Sequence, residues 1–134
     1  MLKKTVMKTK TLFILNGLVG TFSGLGYVFM PELQMEMYGV QSSESGMLFM
    51  QTSGAAHVGF ALLCFAVMNI TDSASTKMVS LGMMGAWITT TAISLYGVLT
   101  GGLNSFGWSG VVIGLFFVVM YGMKKFKDKN VSTL

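Results

Sequence analysis

The sequence predicts an all-α protein: a bundle of four transmembrane helices running up, down, up and down, with a short amphipathic helix at the outer surface. Three observations predict it. Of 134 residues, 52% are hydrophobic and only 10% charged, too few charges for the polar shell of a water-soluble domain this size. The apolar residues gather in four long runs without Asp, Glu, Lys or Arg. The nine lysines fall where all would lie on one side of a membrane crossed four times. A single integral-membrane domain, 1–134, accommodates the whole pattern.

The four runs occupy about 11–30, 47–70, 79–99 and 106–123. Roughly 20 helical residues cross a hydrocarbon core at 1.5 Å rise per residue, so each run is long enough. Barrel strands would need apolar–polar alternation over about 10 residues, and the runs show none. The short 71–78 and 100–105 loops require antiparallel neighbours. Lys3, Lys4, Lys8 and Lys10 precede the first run, Lys77 lies in the 71–78 loop, and Lys124, Lys125, Lys127 and Lys129 follow the fourth. Both termini are therefore expected in the cytoplasm, with Glu32, Glu36 and Glu44 outside. The net charge of +4 reports this topology and contact with anionic headgroups. It gives no sign of nucleic-acid binding, because the lysines sit in short flanking clusters without interleaved aromatic residues. A basic start followed by an apolar stretch also fits a cleaved signal peptide. Against that, the run continues unbroken to Met30 and offers no A-x-A site.

The connection after the first run is more than a loop. "PELQMEMYG" has Pro31 at a helix N1 position, Glu32 in the first turn and Gly39 where a C′ glycine belongs. Leu33, Met37 and the preceding Met30 share one face, and Glu32 and Glu36 share another. The expected product is a short interfacial helix that caps the bundle or covers its mouth.

Glycine spacing predicts how the spans pack. Little hydrophobic force acts between helices in lipid, so small residues that let backbones approach carry association. Gly17, Gly20 and Gly24 form one such seam, and Ser53, Gly54, Ala55, Ala56 and Gly59 a second. Gly82, Gly85, Thr89 and Ala92 form a third, and Gly107, Gly110 and Gly114 a fourth. Each seam is expected to meet a neighbour within the bundle, with a contact between copies as the competing use. Phe13, Phe22, Phe29, Phe60, Phe65, Phe116 and Phe117 would fill gaps or face lipid. Tyr27, Tyr38, Tyr96, Trp108 and Tyr121 would form an interfacial aromatic belt, with Trp87 deeper as a packing anchor.

Candidate chemistry is sparse. His57 is the chain's one histidine and sits within an apolar span, where an ionisable group raises a functional hypothesis. Its plainer role is a neutral imidazole satisfied by one hydrogen bond. Ser53 lies four residues earlier on the same face. With Gln51, Thr90, Ser94 and Asn104 it completes the candidate ligand-binding set; Asn16, Thr89 and Thr91 are further polar groups at membrane depth. Asn104 also reads as a helix cap near the interfacial Trp108. No catalytic residue is expected: Cys64 is mid-span in an apolar setting, and no serine has a base and acid in its layer. A metal site is not expected, since one His and one Cys cannot supply four zinc ligands and the 13 methionines fall on different helices.

"FMPELQMEMYG", a small-residue-rich second span, and "GGLNSFGW" opening the fourth resemble the DoxX-like group of small four-helix bacterial membrane proteins. The resemblance covers roughly Thr11 to Met123. It implies a multi-pass protein of the bacterial inner membrane and supplies no reaction. Related sequences often carry a basic residue early in the second helix, where this chain has Gln51 and His57. Three functions are thus open. The first is a non-enzymatic protein acting through assembly with itself or a membrane partner. The second is a small-molecule binder or transporter built around His57, and the third a cofactor-binding redox subunit. No cofactor is expected under the first two, and membrane lipids are partners under all three.

Overall fold

The computed structural model describes residues 8–129. Lys3 and Lys4 lie outside them, as do the side chains of Lys124, Lys125, Lys127 and Lys129. In chain order the helices are α1 (Thr9–Phe29), α2 (Pro31–Met37), α3 (Glu44–Val67), α4 (Ser73–Leu99) and α5 (Trp108–Lys129). A 3-10 turn, Ser105–Gly107, leads into α5, and no strand occurs among the described residues. Four helices are long and apolar enough to cross a membrane: α1, α3, α4, and α5 counted with its 3-10 turn. Much of their apolar surface faces outward, as on Phe22, Leu62, Ile93 and Val112, which is the surface a hydrocarbon solvent would wet.

Helix ends differ from expectation where caps override hydropathy. α4 begins at Ser73 rather than near Val79, because the Asp72 carboxylate accepts the Ser75 N–H at 2.7 Å. Lys77 is therefore helical, and only 68–72 link α3 to α4. Hydrogen bonding from Ser75, its side chain first and its backbone N–H second, holds the Asp72 carboxyl below its ordinary value. This cap is complete above the unfolded-state value of about 4 and is lost as pH falls through the lowered one. α3 starts at Glu44 because the Ser43 hydroxyl accepts the Gly46 N–H. α2 ends as its sequence requires: Gly39 has φ +74°, the Gly39 N–H reaches Glu36 O and the Val40 N–H reaches Met35 O.

Two helix pairs make up the molecule. α1 packs along α3, and α4 along α5. In the first pair Gly17 faces Phe65, Gly20 faces the His57 carbonyl and Ala61, and Gly24 faces the Gly54 carbonyl and Val58. Numbers rise on one helix as they fall on the other, so the pair is antiparallel. A Cβ on Gly24 would stand 2.8 Å from the Gly54 carbonyl oxygen, so the two backbones touch at that crossing. In the second pair Gly114 faces Thr91, Gly110 faces Ser94 and Gly107 faces Val98, again antiparallel. Lys10 Nζ donates to Asn69 Oδ1 at 2.8 Å, joining the start of α1 to the residues just past α3.

The third seam departs from expectation. Gly82 and Gly85 have open space where a Cβ would be, and Thr89 and Ala92 are exposed. The reason is rotational: α4 turns Met83, Trp87 and Thr91 inward, leaving the small residues on another face. Gly59 on α3 is open as well. Tyr121, two residues from the end of the Ser105–Met123 span, is 2% exposed and packs in the core. α5 continues past that span to Lys129. On α2, Met35 is buried against the rest of the chain, while Met30, Leu33 and Met37 stay open.

Gly24→Val is expected to destabilise the detergent-solubilised protein by about 1–3 kcal/mol through overpacking. Gly122→Ala, facing open space, should leave the melting temperature unchanged or slightly raised. A thermal melt followed by far-UV circular dichroism checks both.

Candidate functional site

The core lies where the two helix pairs meet. Leu12 and Phe13 of α1, Cys64 and Val67 of α3, Met83 of α4, and Phe117 and Tyr121 of α5 form one buried cluster. Trp87 stacks on Phe117 with centroids 4.6 Å apart and planes 15° apart, and Phe13 packs on Tyr121 at 6.2 Å. Cys64 Sγ donates to Met83 Sδ at 3.9 Å, deep among apolar neighbours.

One polar side chain enters this cluster. Asn16, 5% exposed, donates from Nδ2 to Tyr121 Oη at 2.8 Å and accepts at Oδ1 from Trp87 Nε1 at 3.1 Å. Its carboxamide thus links α1 to α4 and to α5. The sequence marks Asn16 as one of several polar groups and does not single it out. The available signal is an amide in an apolar run, together with a deep Trp87 whose N–H needs an acceptor in lipid.

His57 lies half-buried beside this link. Nδ1 is 2.7 Å from the Ser53 backbone carbonyl, and Tyr27 meets the ring edge-on at 5.4 Å. A carbonyl only accepts, so Nδ1 carries a proton and donates it to this bond. The partner is the carbonyl of Ser53 and not its hydroxyl. The ring lines a cavity of about 60 Å³ between α1, α3 and α4, with Asn16, Ala61, Met83, Trp87 and Thr90 around it. That volume admits a few waters, against roughly 300–1,000 Å³ for a small-molecule site.

The remaining candidates do not join this cavity. Gln51 Nε2 donates to the Val28 carbonyl at 3.2 Å, tying α3 to the end of α1. Ser53 and Ser94 line a second cavity, of about 370 Å³, at the α2 end of the molecule. Asn104 is a tie: Oδ1 accepts the Phe106 N–H at 2.9 Å, while Nδ2 donates to Met37 O at 3.0 Å. Its own N–H donates to Tyr38 O at 2.9 Å, so the α4–α5 connection is fastened to the end of α2. The candidate set thus divides into His57 with Thr90, Ser53 with Ser94, and two side chains spent on backbone. Among the described residues, no three His, Cys, Asp or Glu side chains lie close enough to hold a metal ion.

Asn16→Leu orphans the Trp87 N–H and the Tyr121 hydroxyl, and is expected to destabilise the fold by roughly 2–4 kcal/mol. His57→Phe keeps the edge contact with Tyr27 and should cost less than about 1 kcal/mol. Paired thermal melts in one detergent check the contrast.

Comparison with protein-family models, curated proteins and solved structures finds no match to this chain.

Proposed function

We propose that this chain is a non-enzymatic, multi-pass protein of the bacterial inner membrane that works through assembly, with a second copy or a membrane-protein partner seated on the outer face of α4. The carrying observation is the open seam. Gly82 and Gly85 have nothing within 4 Å of the position that a methyl group would take, while Gly20, Gly24, Gly110 and Gly114 are consumed by packing inside the chain. A glycine in a helix interior is unfavourable by about 1 kcal/mol relative to alanine in water. Close backbone approach by another helix offsets such a cost in lipid, through dispersion and Cα–H···O contacts.

The setting of this assembly is an up-down-up-down bundle with both termini cytoplasmic. Its support is the two antiparallel pairs, the Lys10–Asn69 bond and the meeting of Phe13 with Tyr121, which bring the lysine-bearing helix ends together. The DoxX-like resemblance adds the bacterial inner membrane. A binder or transporter centred on His57 draws less support, since about 60 Å³ beside that ring is too small for a substrate.

Ala92→Cys on the open stripe should give a disulfide-linked dimer, or a defined heteromeric product, on mild oxidation in native membranes. Adding Gly85→Leu should lower the crosslinked fraction about tenfold, equivalent to roughly 1.4 kcal/mol. Monomer alone in the Ala92→Cys sample would contradict the reading.

A further inference from the structure

The cavity of about 370 Å³ at the α2 end differs from the one at His57 in size, lining and polar inventory. It is a widely open cleft between the two helix pairs, with Tyr27 of α1, Tyr38 after α2, Phe49, Met50 and Ser53 of α3, and Ser94 of α4 on its walls. Its volume falls in the range of roughly 300–1,000 Å³ usual for small-molecule sites, which combine apolar walls with a few polar groups.

The hydroxyls there are under-used. Tyr27 Oη and Tyr38 Oη are 3.1 Å apart, so one donates to the other and the accepting hydroxyl keeps its own hydrogen without a partner. Ser53 and Ser94 make no side-chain hydrogen bond to any described residue. The usual fate of a hydroxyl in these helices is different. Thr21, Thr52, Ser80, Thr89 and Thr91 each donate to the carbonyl four residues back, at 2.7–3.1 Å. These O–H donors are open to the cleft, so a carbonyl oxygen that a ligand brings in can accept from them. No Asp, Glu, Lys or Arg lines the cavity, so nothing compensates a charged ligand.

We propose that this cavity binds a neutral single-chain amphiphile with an ester-type carbonyl, the chain lying against Phe49 and Met50 and the carbonyl oxygen accepting from the free hydroxyls. The site lies apart from the open stripe on α4, so it stands or falls independently of assembly.

The test is photolabelling of the full chain in nanodiscs with a monoacylglycerol carrying a diazirine near its ester. Adducts are expected at Met50 and at Leu103, which also lines the cavity, at least fivefold above those at outward-facing Ile93 and Leu95. Ser53→Leu, which fills the cavity, should abolish that excess. Tyr38→Phe combined with Ser53→Ala preserves shape and should reduce it several-fold, while labelling by an alkyl diazirine lacking the ester stays unchanged. Unlabelled monolaurin should compete, and dodecane or excess diacyl phosphatidylcholine should not. Uniform labelling of cavity and lipid-facing residues would overturn the proposal. So would equal competition by dodecane, which removes the carbonyl, or by phosphatidylcholine, which makes the site ordinary bilayer contact. Circular dichroism of each variant guards against misfolding, and the Tyr38→Phe, Ser53→Ala pair keeps the test decisive if Ser53→Leu fails to fold.

Discussion

The carboxamide of Asn16 is the interaction on which this architecture depends. Each helix pair is secured along its length by glycines that let backbones touch, and contact between the pairs is thinner. At that junction one amide donates to Tyr121 and accepts from Trp87, so three helices share a single planar group. In a membrane no water competes for these partners, and no hydrophobic force holds the pairs together in their absence. The aromatic stack of Trp87, Phe117 and Tyr121 then aligns around the amide, with ring positions that the two hydrogen bonds constrain. A second tie, Asn104 on the end of α2, closes the other end of the same junction. Both cavities lie between the two pairs.

This arrangement explains where the small residues go. A helix can present a seam to only one neighbour at a time, and α4 spends its inward face on Met83, Trp87 and Thr91. Its glycines are left on the outside. The polar groups divide the same way: those that settle on backbone are structural, and the unpaired hydroxyls at the α2 end are free to meet a ligand. His57, conspicuous as the chain's one histidine, has its Nδ1 proton satisfied by a helix carbonyl.

Much of the fold was legible because lipid imposes hard rules. Length, hydropathy and the absence of charge identified the four long helices, and Pro31 with Gly39 identified the short one to the residue. What was not legible depends on rotation. Periodicity shows that Gly82 and Gly85 share a face, but when every face is apolar nothing says which one turns inward. The same ambiguity hid the packing of Tyr121, since nothing in its own span says that its ring turns toward α1. Of the candidate site, His57 and Thr90 were brought together and Ser53 and Ser94 were brought together. Their separation follows from helix pairing, which no single-span pattern contains. Asn16 was visible as a polar residue, yet its role required knowing that Trp87 and Tyr121 converge on it from two other helices.

The most direct measurement is a double-mutant cycle on the Asn16–Tyr121 bond, with Asn16→Leu and Tyr121→Phe made singly and together and stability read by reversible unfolding in mixed micelles. If the amide joins the pairs, the two substitutions couple by about 1 kcal/mol or more, the double variant being less destabilised than the sum. Additivity to within about 0.3 kcal/mol would show that the bond contributes nothing and that packing alone holds the halves together.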